Sequence, residues 1–269
     1  MTRSLRLALA AAVVVAIVLP LAWALLASLT PEHELYRARA HVPDDLTTAH
    51  YRALFTERDF WTPVRNSLVV AAATTILCVA IASVCAYALA RLRFRGRGLV
   101  LGATLAVSMF PQISIVAPLY LLLRDAGLID TYPGLVLPYL TFALPLAVWL
   151  LVGYFRQLPP ELEDAAMVDG ASRLRVLREI VLPLAAPGLA TTAILTFVYC
   201  WNEFMFALSF TTTRERQTVP VAIALFRGQF QVPWGQILAA TVVSTLPVLA
   251  LVAAFQRRIL GGLTAGAVK

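Results

Sequence analysis

The stretch Ser67–Ala90, SLVVAAATTILCVAIASVCAYALA, runs for 24 positions without a charge and is followed at once by Arg91, Arg93, Arg95 and Arg97. As an α-helix at ~1.5 Å per residue it would be about 36 Å long, enough to cross the ~30 Å hydrocarbon core of a bilayer. Five more apolar blocks of about this length lie near 5–29, 99–123, 134–155, 187–210 and 236–255. The chain is 60% hydrophobic and 14% charged, whereas soluble domains are roughly 45–50% apolar and ~25% charged. An unusually apolar globule would scatter these residues; here they are gathered into blocks. The expected fold is an all-α integral membrane protein with six transmembrane helices.

The first block follows Arg3 and Arg6. A cleavable secretory signal has an apolar core of roughly 7–15 residues. This block is longer, so it is read as an uncleaved span. With the N-terminus inside, thirteen basic residues face the cytoplasm and nine face out. The inner ones crowd against span ends, where they weigh most. An N-in/C-in topology in the cell membrane is therefore expected. Prolines 20, 111, 118, 138, 145 and 247 fall inside four of the blocks. Proline frees a carbonyl and bends a helix, which suits a protein that rearranges around a pathway.

Several functions are excluded by what is missing. Of the 22 basic residues only Lys269 is lysine. A phosphate-binding P-loop needs a lysine after its glycines, so this chain cannot hydrolyse ATP by that route. The net charge of +7 comes without a basic, aromatic-interleaved patch outside the blocks, and it reads as an orientation signal rather than a nucleic-acid site. Cys78, Cys85 and Cys200 lie within apolar blocks and are expected to be small buried hydrophobes rather than disulfide partners or ligands. His33, His41 and His50 share one polar loop with Asp44 and Asp45 and are expected in solvent. The spans hold no paired carboxylates, metal cluster or activated nucleophile. Neither an enzyme, a cofactor nor a metal is expected. A stand-alone secondary transporter would need buried ionisable groups for ion coupling, and only Glu203 is offered.

The polar segment 156–185 separates the fourth and fifth blocks. Pro159-Pro160 precedes Glu161, Glu163 and Asp164, proline and acids being helix-opening signals. Leu162, Ala165, Ala166 and Asp169 share one face at helical spacing, and Gly170 supplies the stop. Ser172 then caps a second helix, in which Arg175 and Glu179 form an i,i+4 pair before Pro183. A short helix-turn-helix between two spans is predicted, on the cytoplasmic side.

Within it, Asp164-Ala165-Ala166 is followed after three residues by Gly170 and after nine more by Ile180-Val181-Leu182-Pro183. This resembles the EAA loop of ATP-binding-cassette importer permeases: Glu-Ala-Ala, three residues, Gly, nine residues, Ile-x-Leu-Pro. Asp164 replaces the family glutamate, shortening its reach by one methylene. Asn66-Ser67-Leu68, Ala86-Tyr87-Ala88-Leu89-Ala90-Arg91, Trp201-Asn202-Glu203-Phe204 and the ending from Gly262 to Lys269 are similar to the carbohydrate branch, and to the second permease of maltose-type importers. Met109-Phe110-Pro111, Tyr132-Pro133-Gly134-Leu135 and the run from Thr141 to Ala147 look closest to actinobacterial trehalose importers.

The resemblance implies a type I importer permease fold forming half of a translocation pathway. It implies a heterodimer with a second permease subunit, separate ATP-binding-cassette ATPase subunits and an extracytoplasmic sugar-binding protein. The first short helix becomes the coupling helix, with Glu161, Asp164, Ala165, Ala166, Asp169 and Gly170 at the ATPase contact. A disaccharide such as trehalose is the implied solute; another oligosaccharide, a maltose-type sugar or glycerol phosphate stays open.

Glu203 is the one acid read inside a span, where an ionised carboxylate costs on the order of 2.5–3.5 kcal/mol near the bilayer centre. Two roles fit it. Asn202 and Glu203 exchange hydrogen bonds with sugar hydroxyls while Trp201 or Phe204 lies against the sugar face, or Glu203 holds the bundle together. Gln112 and Ser108, with Ser114, flank Pro111 and are further candidates to line the path.

Overall fold

The computed structural model of the chain describes residues 3–36, 43, 45–226 and 232–265. His41, Asp44 and residues 266–269 of the chain's ending lie outside the described residues. Helices α1 (Arg3–Ser28), α2 (Glu32–Leu35), α3 (Ala49–Thr56) and α4 (Trp61–Arg91) are followed by α5 (Arg97–Ser108), α6 (Gln112–Asp125) and α7 (Tyr132–Gln157). Next come α8 (Glu161–Val168) and α9 (Arg173–Val176), the latter running through a π turn at Leu177–Val181 into α10 (Leu182–Leu184). Helices α11 (Ala186–Trp201), α12 (Met205–Phe210), α13 (Val219–Ala224) and α14 (Trp234–Ala265) complete the order. No strand occurs among the described residues.

Among the described residues, four helices are long and apolar enough to cross a membrane: α1 from Leu7, α4, α7, and α14 as far as Phe255. Two bent pairs raise the number to six if each is one span. The first pair is α5 and α6, which meet at 90°. Sequence alone suggests one interrupted helix over 99–123; the structure turns a corner there instead. Pro111 has no N–H to continue the ladder and biases Phe110 away from helical geometry. The second pair, residues 173–184 and α11, is bent by 81°. The expected span over 187–210 is likewise divided, because the chain leaves the helix at 202–204 between α11 and α12.

Helices α4 and α7 form the centre. On α4, Ala71, Cys78, Ala82 and Ala86 are fully buried and small, which lets backbones approach closely. On α7, Leu135, Tyr139, Ala143, Ala147, Leu151 and Phe155 recur every four residues on one buried stripe. In lipid such packing has to be close, since hydrocarbon competes for every apolar face. Helix α11 lies against both, and α14 joins it from the side. By contrast α1 is exposed along its apolar run, as a helix at the rim of the bundle would be.

One of the two described histidines departs from expectation. His33 is exposed, but His50 sits on α3 and is buried, with Nε2 2.8 Å from the Thr30 carbonyl oxygen. Its ring packs on Gly235, where a Cβ would stand 2.2 Å from the imidazole. The close approach of α3 to α14 explains why glycine occupies that turn.

Candidate functional site: a latched knob and a broken helix

Helix α8 is opened by Pro160, whose carbonyl accepts the N–H groups of Glu163 and Asp164 at 3.0 Å. It is closed by Gly170 at φ +86°, a conformation that suits a residue without Cβ. The Ala171 N–H bonds the Ala166 carbonyl at 2.9 Å and the Gly170 N–H bonds that of Met167 at 3.1 Å, a Schellman closure. The Ser172 hydroxyl then accepts from the Arg175 N–H at 3.4 Å, and Arg175 donates to Glu179 at 2.9 Å. These turns make a rigid knob of eight helical residues.

Glu161, Leu162, Asp164, Ala165, Val168 and Asp169 are exposed on that knob, with Val168 88% exposed. Ala166 and Met167 turn partly inward against the core. Glu163 is buried among the spans. Its Oε1 accepts from Arg91 Nε at 2.6 Å and its Oε2 from the Tyr87 hydroxyl at 3.0 Å. Arg91 also donates through Nη2 to the Leu158 carbonyl at 2.8 Å. One guanidinium therefore ties the ends of α4 and α7 to the first turn of α8. Sequence reading marks Glu163 only as a dipole-stabilising acid and misses both partners on α4. The available signal was opposite charge: an arginine at the end of one span, and a spare acid in the next loop on the same side.

The tetrad at 201–204 does not act as one group. Trp201 is buried and donates from Nε1 to the Ser244 carbonyl at 3.1 Å, fixing α11 to α14. Asn202 is exposed and donates to the Val198 carbonyl at 2.8 Å, one turn back on its own helix. Glu203 is buried, and its carboxylate accepts the backbone N–H groups of Phe206 at 2.9 Å and Ala207 at 3.1 Å. It caps α12, satisfying donors that a broken helix leaves without carbonyl partners. Phe204 is 37% exposed. Glu203 thus holds a helix break within one chain, and Trp201 ties the helix before that break to α14.

Gln112 and Ser108 are brought together elsewhere, in a cleft of about 300 Å³ between α5, α6, α7 and α11. Gln112 donates to the Tyr199 hydroxyl at 2.6 Å, and Ser108 bonds the Leu105 carbonyl at 2.7 Å. Thr192 also lines the cleft, its buried hydroxyl having no hydrogen-bond partner among the described residues. A few polar groups on mainly apolar walls can fix the orientation of a bound solute.

At the opposite end of α4 lies a second polar cluster that sequence reading did not assemble. Asn66 is fully buried; its amide donates to the carbonyls of Glu215 at 2.8 Å and Gln217 at 2.9 Å, and it accepts from the Tyr132 hydroxyl at 2.8 Å. Ser67 accepts the Val219 N–H at 2.8 Å. Asp130 accepts from the N–H groups of Thr212 and Thr213 at 2.8 and 3.0 Å and from the Thr213 hydroxyl at 2.6 Å. Burial pushes the Asp130 carboxyl up, but the Thr213 hydroxyl, these two amides and the charge of Arg216 outweigh it and hold the group below its ordinary value. Among the described residues, no three His, Cys, Asp or Glu are gathered as a metal would require.

Comparisons with known proteins agree with this architecture. The trehalose transport system permease protein SugB of Mycobacterium tuberculosis is 46% identical over 253 residues, covering 93% of this chain and 92% of that protein. The trehalose/maltose transport system permease protein MalG of Thermococcus litoralis is 48% identical over 207 residues, covering 77% and 74%. A chain in the crystal structure of a bacterial ABC transporter involved in the import of the acidic polysaccharide alginate superposes with a TM-score of 0.80, over 96% of this chain and 99% of that one. That likeness, at 23% identity, is one of fold. Residues 79–262, from the middle of α4 to the end of α14, match the binding-protein-dependent transport system inner membrane component family. A membrane-spanning chain with these helices, this match and these relatives belongs to the family of binding-protein-dependent transport system inner membrane components.

Proposed function

We propose that this chain is one of two permease subunits of an ATP-binding-cassette importer of sugars, N-in/C-in, with a disaccharide such as trehalose as its first solute. A separate ATPase docks on the knob through Glu161, Asp164, Ala165, Ala166 and Asp169, held in place by the turn at Gly170. The knob itself is the observation that carries this reading. It is a short, stiffly closed helix that leaves Leu162 and Val168 exposed beside three acids. Such a surface on a polar loop is accounted for by a partner with an apolar groove and basic rim. The trehalose permeases named above, at 46–48% identity, support the solute class.

The solute pathway of this subunit runs past Ser108 and Gln112 in the cleft and past Asn202 and Phe204 at the exposed side of the break. Glu203 and Trp201 serve it by keeping the break open. A second permease completes the pathway, and an extracytoplasmic binding protein delivers the sugar. The test is ATP hydrolysis by the reconstituted assembly, with binding protein presented empty or loaded with different sugars. Trehalose-loaded protein is expected to stimulate hydrolysis. Stimulation by another disaccharide and not by trehalose overturns the solute; no stimulation by any sugar overturns the function.

A further inference from the structure

We infer that Glu163, gripped by Arg91 and Tyr87, is the joint through which motion of the ATPase-docking knob is delivered to helix α4; this rests on the function proposed above. The knob is already joined to α7 by the chain through Leu158–Pro160 and to α11 by the chain through Ser172. Those connections are covalent links at the two ends of the knob, and neither reaches α4. The link to α4 is of another kind. Tyr87 and Arg91 stand one helical turn apart and take separate oxygens of the same carboxylate, at 3.0 and 2.6 Å. Two bonds to two oxygens fix the carboxylate's orientation as well as its position.

The surroundings strengthen the joint. Glu163 is 5% exposed, so water does not compete for its oxygens. The same Arg91 holds the Leu158 carbonyl at the end of α7, so α4, α7 and α8 share one node. Apolar contacts from Ala166 and Met167 would by themselves let α8 slide. The two adjacent acids then divide the work: Asp164 faces outward to the partner, and Glu163 faces inward to α4. Glu163 is a positioning residue, and α4 is the lever, since its buried small-residue stripe carries the displacement along α7.

The test uses the complete importer in proteoliposomes: this chain, the second permease, the ATPase and trehalose-loaded binding protein. Glu163→Gln and Arg91→Lys are each measured for ATPase retained on purification and for ATP hydrolysed per sugar transported. Retained ATPase with at least about a fivefold rise in ATP per sugar is expected, the lower end of common coupling energies. The paired exchange Arg91→Glu with Glu163→Arg should recover part of that loss, which a general weakening of the fold would not. Tyr87→Phe keeps the ion pair and removes one bond. It should raise the ratio less, and it decides the matter if the charge variants fail to fold. Variants that keep the ATPase and match the wild-type ratio overturn the joint. So does loss of the ATPase from Glu163→Gln, because the pair would then shape the docking surface rather than pass on its motion. A wild-type chain that carries no ATPase overturns the proposed function and the joint together.

Discussion

The two ends of α4 are both closed by buried polar knots, and the knots differ in kind. At one end Asn66 joins Tyr132 to the carbonyls of Glu215 and Gln217 through neutral hydrogen bonds. At the other, 25 residues or about 37 Å away, Arg91 and Glu163 meet as a buried ion pair. The neutral knot uses an amide's two N–H donors and its oxygen, leaving little to rearrange. The charged knot depends on both partners being present, because either alone is a buried charge. A neutral knot suits an anchor; an ion pair suits a joint that senses what its partner does. Sequence hydropathy treats the two ends alike, as the polar limits of one apolar run.

The largest effect expected at the two ends of α4 is on stability. Arg91→Met leaves Glu163 buried without its counter-charge and should cost about 3–5 kcal/mol, read from thermal unfolding in detergent. The double change Arg91→Met with Glu163→Leu should cost less than Arg91→Met alone, since no charge is then stranded. If the double variant is the worse of the two, the pair is not behaving as a desolvated ion pair. Asn66→Ala should cost less than Arg91→Met, about 1–3 kcal/mol for the unpaired Tyr132 hydroxyl and carbonyls. Equal costs at the two ends would remove the distinction between anchor and joint.

A third prediction concerns the knob that the joint holds. Gly170→Ala forces a Cβ into φ +86°, where an ordinary residue is disfavoured by roughly 1–2 kcal/mol. No atom lies within 4 Å of the added methyl, so strain rather than a clash sets the cost. Copurification of the proposed ATPase partner should weaken while the spans unfold at nearly the wild-type temperature. A matching fall in unfolding temperature would place Gly170 in the core of the fold instead.

These residues also show what the sequence made legible. Gly170, Ser172 and the Arg175–Glu179 pair were readable because each acts within a few positions, where turn chemistry and helical spacing decide. The long apolar runs announced the helices for the same reason. Glu163 was not assigned, since its partner Arg91 is 72 residues away and a first-turn acid needs no other explanation. Glu203 was read inside an apolar block, but its bonds to the Phe206 and Ala207 N–H groups were not foreseen. A carboxylate just before a helix that restarts can take N–H groups three and four residues ahead, and the continuous apolar pattern concealed the restart. The corner at Pro111 was read as a kink because proline marks a break without stating its angle.

The smallest predicted effect lies beside the neutral knot, at Asp130, and it adds a charge to that end. Its carboxyl is held below the ordinary value, so the folded chain binds the proton less readily than the unfolded chain. The resulting stability is present above the unfolded value of about 3.9 and is lost as pH falls through the lower folded one. Thermal unfolding followed from pH 6 down to about pH 3 should show this loss. Asp130→Asn keeps an oxygen for the Thr212 and Thr213 N–H groups but no longer attracts Arg216. It should flatten the acid side of the profile without lowering stability as far as Asn66→Ala does. An unchanged acid slope would assign that slope to other carboxylates. A fall as large as that of Asn66→Ala would mean that the end of α4 opposite the knob, too, is held by charge.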